Sequence, residues 1–371
     1  LKLKKQFITG SISLILLAVL LLTVAVSVQA QENWEEIVAA AKEEGEVTIY
    51  STTSRVYDAA ELFEAEYGIQ VDAHRLSEVE LIERVRAESQ TGQQNIDIVI
   101  IEDLTTMREL LIRPGYLVNY IPPEAKANIP EKYHEPLVLG YINRVYGYNT
   151  QVYYEEPIEN IWQFTDPEWA GRFMIRDPQI TGEHLNYFSE IVRRSDEMAA
   201  SYEEFYGEPL EITEDNAGLE FIKRLAQNDP VVMDSDTRIS EAVGTRGQED
   251  PPLGFTYVYS KHRDIENKNL ALDYMRNIEP NLGYYYGLYV QLAGEARNPN
   301  AAKVLANFLV GPEGFSPWAD DIGVYSMNEN VEFHPMDKPW GYWEERLWTY
   351  DPDFAAQQRG IITDVWQRSI Q

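Results

Sequence analysis

The chain has 371 residues, 31 Lys and Arg against 61 Asp and Glu, a formal charge of −30 and no cysteine. That length exceeds what one hydrophobic core usually organises, so two lobes are expected. The charge argues against nucleic acid and anionic lipid as partners, and the missing cysteine excludes disulfides and a lipidated-cysteine anchor.

The chain opens with "LKLKK", the apolar run Ile12 to Val28 and then "VQA". A basic head, an apolar middle and small residues before a cut after Ala30 make a secretory leader. Residues 1–30 are therefore read as a signal peptide, with an uncleaved membrane anchor as the second reading. The leader removes three lysines and no acid, leaving a formal charge near −33 on an exported, extracytoplasmic or periplasmic protein.

Asn33 caps a helix ending at Gly45, and "EVTIY" is a strand followed by the hydroxyl-rich turn "STTS" and a helix to Gly68. "IQVDAHR" alternates as a half-buried strand, and Ser77 with Glu80 forms a capping box for a helix closed by Gly92. "IDIVII" has no polar alternation, as in a central parallel strand covered on both faces, and it ends at Glu102 and Asp103. Strand-helix alternation of this kind predicts α/β architecture with a mostly parallel sheet.

The extended passage "PLVLGYINRVYGYNTQVYY" crosses to a second α/β set. That set contains "FMIRDP", a helical region from Glu183 to Tyr206, a helix from Thr213 to Asn228, a short helix from Ile239 to Val243 and the strand "LGFTYVYS". The passage "NLGYYYGLYVQLAG" crosses back to a helix opened by Asn298 and Pro299. Residues 31–145 are expected as lobe one, 146–285 as lobe two and 286–325 as the return to lobe one. Residues 326–371 form a helical tail that the sequence assigns to neither lobe.

Nucleophile-elbow, phosphate-loop and dinucleotide motifs are absent, and the five histidines never fall at zinc-ligand spacing. Carboxylates are too numerous to single out an acid/base pair, so an exported hydrolase is only a third reading. Three loops place small hydroxyl residues before helix starts: Ser51, Thr52, Thr53 and Ser54; Ser77; and "SDT" around Asp236. Each alone is an ordinary N-cap. Together with Glu102 and Asp103, the lobe-one loops would line one crevice at adjacent strand ends, where helix starts attract anions. Thr181, Asp236, Tyr257 and Tyr259 complete the candidate binding set from lobe two.

In order and spacing, "AAAKEEGEVTIYSTT", "YGIQVDAHRLSEVELIERVRAE", "IDIVIIED", "VYGYNTQ", "FTDPEWAGRFMIRDPQITG" and "RNPNAAKVLANFLVGPEGF" resemble the solute-binding proteins of ABC transporters. The group resembled is that of ferric-iron and thiamine binders. The resemblance implies the type II periplasmic-binding-protein fold, two lobes on a two-strand hinge, and a monomer with no catalytic role. It also implies an ABC permease and its ATPase as partners. A sensing receptor for a membrane signalling protein is the alternative. The ligand would be a small polar solute: iron(III) with a bound anion, or an organic molecule with an anionic or amine group. If iron, Glu102 carries over as a ligand with Tyr259. Ser54 stands where ferric binders carry a histidine, however, and Val258 splits the expected tyrosine pair.

Overall fold

The computed structural model describes residues 33–180 and 182–370, so the expected leader lies outside the described residues. Lobe one begins with helix α1 (Trp34–Glu44), strand β1 (Glu46–Ser51), α2 (Arg55–Tyr67), β2 (Gln70–Arg75), α3 (Glu78–Thr91), β3 (Ile98–Ile101) and α4 (Leu104–Met107). Strand β1 pairs in parallel with β2 and with β3. All four residues of β3 are fully buried, as its unbroken apolar run requires. Helices α1, α2 and α3 each end at a glycine with φ between 65 and 76°, a conformation that costs an L side chain energy and costs glycine none.

After β4 (Leu117–Val118) and α5 (Pro123–Asn128) comes the first long crossing strand, β5 (Val138–Asn149). Lobe two follows with β6 (Phe173–Arg176), α6 (Gly182–Arg193), α7 (Ser195–Tyr206), α8 (Ala217–Gln227), β7 (Val231–Met233), α9 (Asp236–Gly244), β8 (Leu253–Val258) and β9 (Leu272–Tyr274). The single helical region expected from Glu183 to Tyr206 is two helices. The break falls at Arg194, whose φ of −96° and ψ of 30° leave the helical region. The helix expected from Thr213 starts four residues later, capped by Asn216, because the Thr213 amide and hydroxyl both donate to Glu220 instead.

The second crossing strand, β10 (Gly283–Ala293), leads to α10 (Pro299–Leu309), α11 (Pro312–Ala319), β11 (Val324–Ser326), α12 (Trp340–Glu344) and α13 (Pro352–Ser369). The strand order is β2-β1-β3-β10-β5-β8-β6-β7. Strands β5 and β10 run antiparallel at its centre, so two parallel sheets, β2-β1-β3 and β7-β6-β8, share a two-strand hinge. The expected lobe boundaries at 145 and 285 fall inside these crossing strands. Helix α13 lies against α6 and α8 of lobe two and reaches α4 of lobe one, so the tail packs across both lobes.

Candidate functional site

Parallel pairing aligns the carboxyl ends of β1, β2 and β3, and the loops leaving them share hydrogen bonds. The Thr52 amide donates to the Ile100 carbonyl at 3.2 Å, and the Leu76 amide donates to Ser51 at 2.9 Å. The Thr52 hydroxyl donates to Glu102 at 3.1 Å. Ser77 and Glu80 form the capping box of α3. One residue on, the Glu78 carboxylate accepts the Asp103 amide at 2.9 Å. This wall of lobe one thus brings Glu78 next to Glu102.

The opposite wall is organised by a buried pair. Arg144, on β5 and fully buried, donates to Asp236 at 2.5 and 3.3 Å and to the Thr256 carbonyl at 2.9 and 3.1 Å. Thr256 has a φ of 49°, unusual for a β-branched residue. Arg176, at the end of β6, adds a second guanidinium to Asp236 at 2.9 Å. Burial works against the Asp236 carboxylate, but these two arginines more than offset it and hold its pKa well below the usual range. Beside it, burial and then Arg144 push His184 well below the usual histidine value, so its imidazole is neutral.

Between the walls lies a cleft of about 680 Å³. Glu78 and Glu102 face Glu183 of α6 across it, with one oxygen of each within 4.8 Å of the others. Burial, then Glu183, pushes Glu102 up to about 7, against the pull of Arg176 and the Thr52 hydroxyl. Burial, then the charges of Glu102, Asp103 and Glu183, raises Glu78 well above the ordinary value. Five cationic side chains, Arg55, Arg75, Arg176, Lys261 and Arg263, line the same cleft. Burial, then the neighbouring Arg263, lowers the pKa of Lys261.

The structure brings six of the expected residues to the cleft: Thr52, Thr53, Ser54, Ser77, Glu102 and Asp236. Ser51 is buried behind it, its hydroxyl tied to the backbone of Thr53 at 3.1 Å, where it shapes the turn. Asp103 is also behind, accepting from Arg359 and Asn186 while it caps α4. Thr181 lies outside the described residues. Ser54 does not cap α2; the Thr53 hydroxyl accepts the Arg55 amide instead.

Tyr257 and Tyr259 are not brought to the cleft, which corrects their expected place as solute or iron ligands. They do meet a common neighbour, His262, although β8 ends at Val258 and Tyr259 opens a 3-10 turn. That side of the chain faces an aromatic cluster with Tyr274 and Trp343, and the Tyr257 hydroxyl bonds His262 at 2.5 Å. Val258, between them, lines the cleft. Among the described cleft residues there is no histidine, and the only tyrosine is Tyr286 from β10.

Sequence reasoning missed Arg55, Glu78 and Glu183, each within two residues of a position it had singled out. Arg176 ends the strand in "FMIRDP" and was recoverable from the same strand-end rule. Asp321, Lys261 and Arg263 carry no local signal.

The sequence profile described as bacterial extracellular solute-binding protein matches residues 47–321, about three quarters of the chain. No curated protein matches the sequence. Among solved structures, iron-bound HitA from Pseudomonas aeruginosa is similar with a TM-score of 0.68 at 15% identity, over 87% of this chain and 99% of that one. The apo ferric ion-binding protein A of Pasteurella haemolytica gives 0.69 at 15% identity, over 88% and 98%. AfuA from Actinobacillus pleuropneumoniae, with fructose-6-phosphate bound, gives 0.66 at 20% identity, over 88% and 99%. These likenesses establish the two-lobed fold of type II periplasmic binding proteins. With the profile spanning most of both lobes and both crossing strands, the chain belongs to the bacterial extracellular solute-binding proteins, and it is a binding protein and not an enzyme.

Proposed function

We propose that this protein is the substrate-binding component of an ABC importer, working outside the cytoplasm as a monomer after cleavage at Ala30. Its solute would be a small organic molecule with an anionic group at one end and an amine or hydroxyls at the other. One observation carries this reading: in a chain of net charge −30, five cationic side chains converge with hydroxyl residues on one cleft that also holds a separate carboxylate cluster. The anionic end would meet Arg55, Lys261 and Arg263, and the other end would meet Glu78, Glu102 and Glu183. Binding to both walls would favour the closed state, which a permease could then recognise.

Iron(III) with a bound anion is the second reading, supported by the three carboxylates within 4.8 Å. Against it stand the absence of histidine and the single tyrosine among described cleft residues. Titration calorimetry with phosphate esters, phosphonates, amino acids, polyamines and ferric citrate separates the two. An anionic organic solute is expected to bind, and Arg263→Gln is expected to weaken it tenfold or more, as loss of a charge-assisted hydrogen bond worth about 1.5–3 kcal/mol implies. Binding of ferric citrate alone would overturn the organic-solute reading.

A further inference from the structure

Asp321 lies in the turn between α11 and β11, with its side chain 9% exposed. Arg55, from lobe one, donates to it twice, from Nε to Oδ2 at 3.2 Å and from a terminal nitrogen to Oδ1 at 2.6 Å. Arg263, which follows β8 of lobe two, donates to the same Oδ1 at 2.8 Å. All three residues line the cleft. A carboxylate held by guanidiniums from opposite walls is what a bound solute's anion would look like, yet the chain itself supplies it.

The cations are not all satisfied. Asp321 is the one carboxylate within hydrogen-bond distance of both guanidiniums, Asp58 and Asp264 standing 3.9 Å from Arg55 and Arg263, and Lys261 lines the same part of the cleft with no ion pair or hydrogen bond among the described residues. Beyond its burial, Lys261 feels Arg263 as a repelling charge and Asp236, Asp264 and then Asp321 as attracting ones. A group with two negative charges and tetrahedrally arranged oxygens would satisfy the three cations better than the single planar carboxylate does.

We propose that Asp321 is a built-in occupant of the anion subsite, displaced when the solute's anionic group enters between Arg55 and Arg263. This rests on the reading of the cleft as an anion-binding site and adds a selectivity rule to it. An internal competitor lowers the apparent affinity of every anion by the fraction of time it holds the site. Doubly charged phosphoryl or phosphonate groups overcome it, and singly charged carboxylates do not. Before the solute arrives, the same carboxylate keeps two facing arginines from repelling each other, so the walls stay in register.

The test is calorimetric titration of wild type, Asp321→Asn and Asp321→Ser with inorganic phosphate, methylphosphonate and acetate, with thermal unfolding recorded for each protein. Removing the competitor is expected to tighten phosphate and methylphosphonate at least tenfold and to bring acetate binding into range. A merely structural role for Asp321 predicts the opposite, weaker binding of every probe. Phosphate or methylphosphonate binding by wild type with equal or weaker binding by both variants overturns the proposal alone. No anion binding by any of the three proteins overturns the anion-site reading beneath it as well. Two substitutions of different size guard against one that fails to fold.

Discussion

The two walls of the cleft are made of the same parts, a strand end, a turn and a helix start, but they are held differently. Lobe one builds its wall from neighbours: three adjacent parallel strand ends, a capping box at Ser77 and a Thr52 to Glu102 hydrogen bond. Lobe two hangs its wall on one buried carboxylate, Asp236 at the start of α9, paired with Arg144 of the crossing strand and joined by Arg176 at the end of β6. Carboxylates consequently behave in opposite ways on the two sides. Asp236, between two arginines, is held strongly acidic, while Glu102 and Glu78, facing another carboxylate, are pushed up. A wall of local pieces should fail piece by piece, and a wall hung on one carboxylate should fail together.

The sharpest way to break that contrast is Arg144→Met, which keeps the volume and removes the charge. Asp236 would remain buried with only Arg176 beside it. Breaking a buried pair from one side costs about 3–5 kcal/mol where the remaining charge is left without a partner; Arg176 stays with Asp236, so urea unfolding should show a loss near the lower end of that range, still the largest of any single change at the cleft. Solute affinity should fall with it, because Asp236 and Arg176 shift together. A loss below about 1 kcal/mol would mean that the wall does not depend on this pair.

Next in size is Arg359→Gln on α13. This guanidinium sits behind the cleft and joins the lobes, donating to Asp103 of lobe one at 2.5 Å and to Asn186 and the Gly182 carbonyl of lobe two at 2.7 and 3.2 Å. Losing charge-assisted bonds of this kind costs about 1.5–3 kcal/mol. Because the bonds span both lobes, small-angle scattering should also show a more open average shape without solute. An unchanged scattering profile would limit Arg359 to a stabilising role.

These two residues also mark where the sequence stops being readable. The lobe-one wall was legible because its determinants are short-range: an apolar run, a Ser77 to Glu80 spacing, a glycine at each helix end. The fold followed from the same periodicities. Arg144 is separated from Asp236 by 92 positions, and Arg359 from Asp103 by 256. No spacing rule reaches that far. Tyr257 and Tyr259 failed for a related reason: β8 ends at Val258, so Tyr259 opens a 3-10 turn that strand alternation does not describe, and which side faces the cleft depends on how β8 packs on β5. The tail could be assigned to no lobe because it packs on both.

A smaller effect, opposite in sign, should come from Glu102→Gln. The folded protein holds a proton on Glu102 up to about pH 7, well above an ordinary glutamate. The native state therefore binds more protons than the unfolded one between roughly pH 4.5 and 7, and wild-type stability from this group falls as pH rises through that window. The glutamine variant lacks this penalty. It should be more stable than wild type at pH 8 by about 1–2 kcal/mol after allowing for partial solvent screening, read as a higher unfolding temperature, and match it near pH 4. Equal stability at both pH values would mean that the three carboxylates do not strain the unliganded cleft.

Smallest is Ser77→Ala, and it asks whether the lobe-one wall really fails in pieces. The Ser77 hydroxyl donates to Glu80 at 2.7 Å and accepts the Glu80 amide at 3.4 Å, while the Ser77 amide donates to the same carboxylate at 3.0 Å. Losing the hydroxyl removes half of that box and should cost about 1 kcal/mol. Because these partners all lie within three residues, faster amide exchange should be confined to the first turn of α3. The Glu78 bond to the Asp103 amide, which ties α3 to β3, should keep its protection. If exchange instead quickened at Asp103 and into α4, the first wall would be cooperative like the second, and the difference between them would lie only in how far apart their partners sit along the chain.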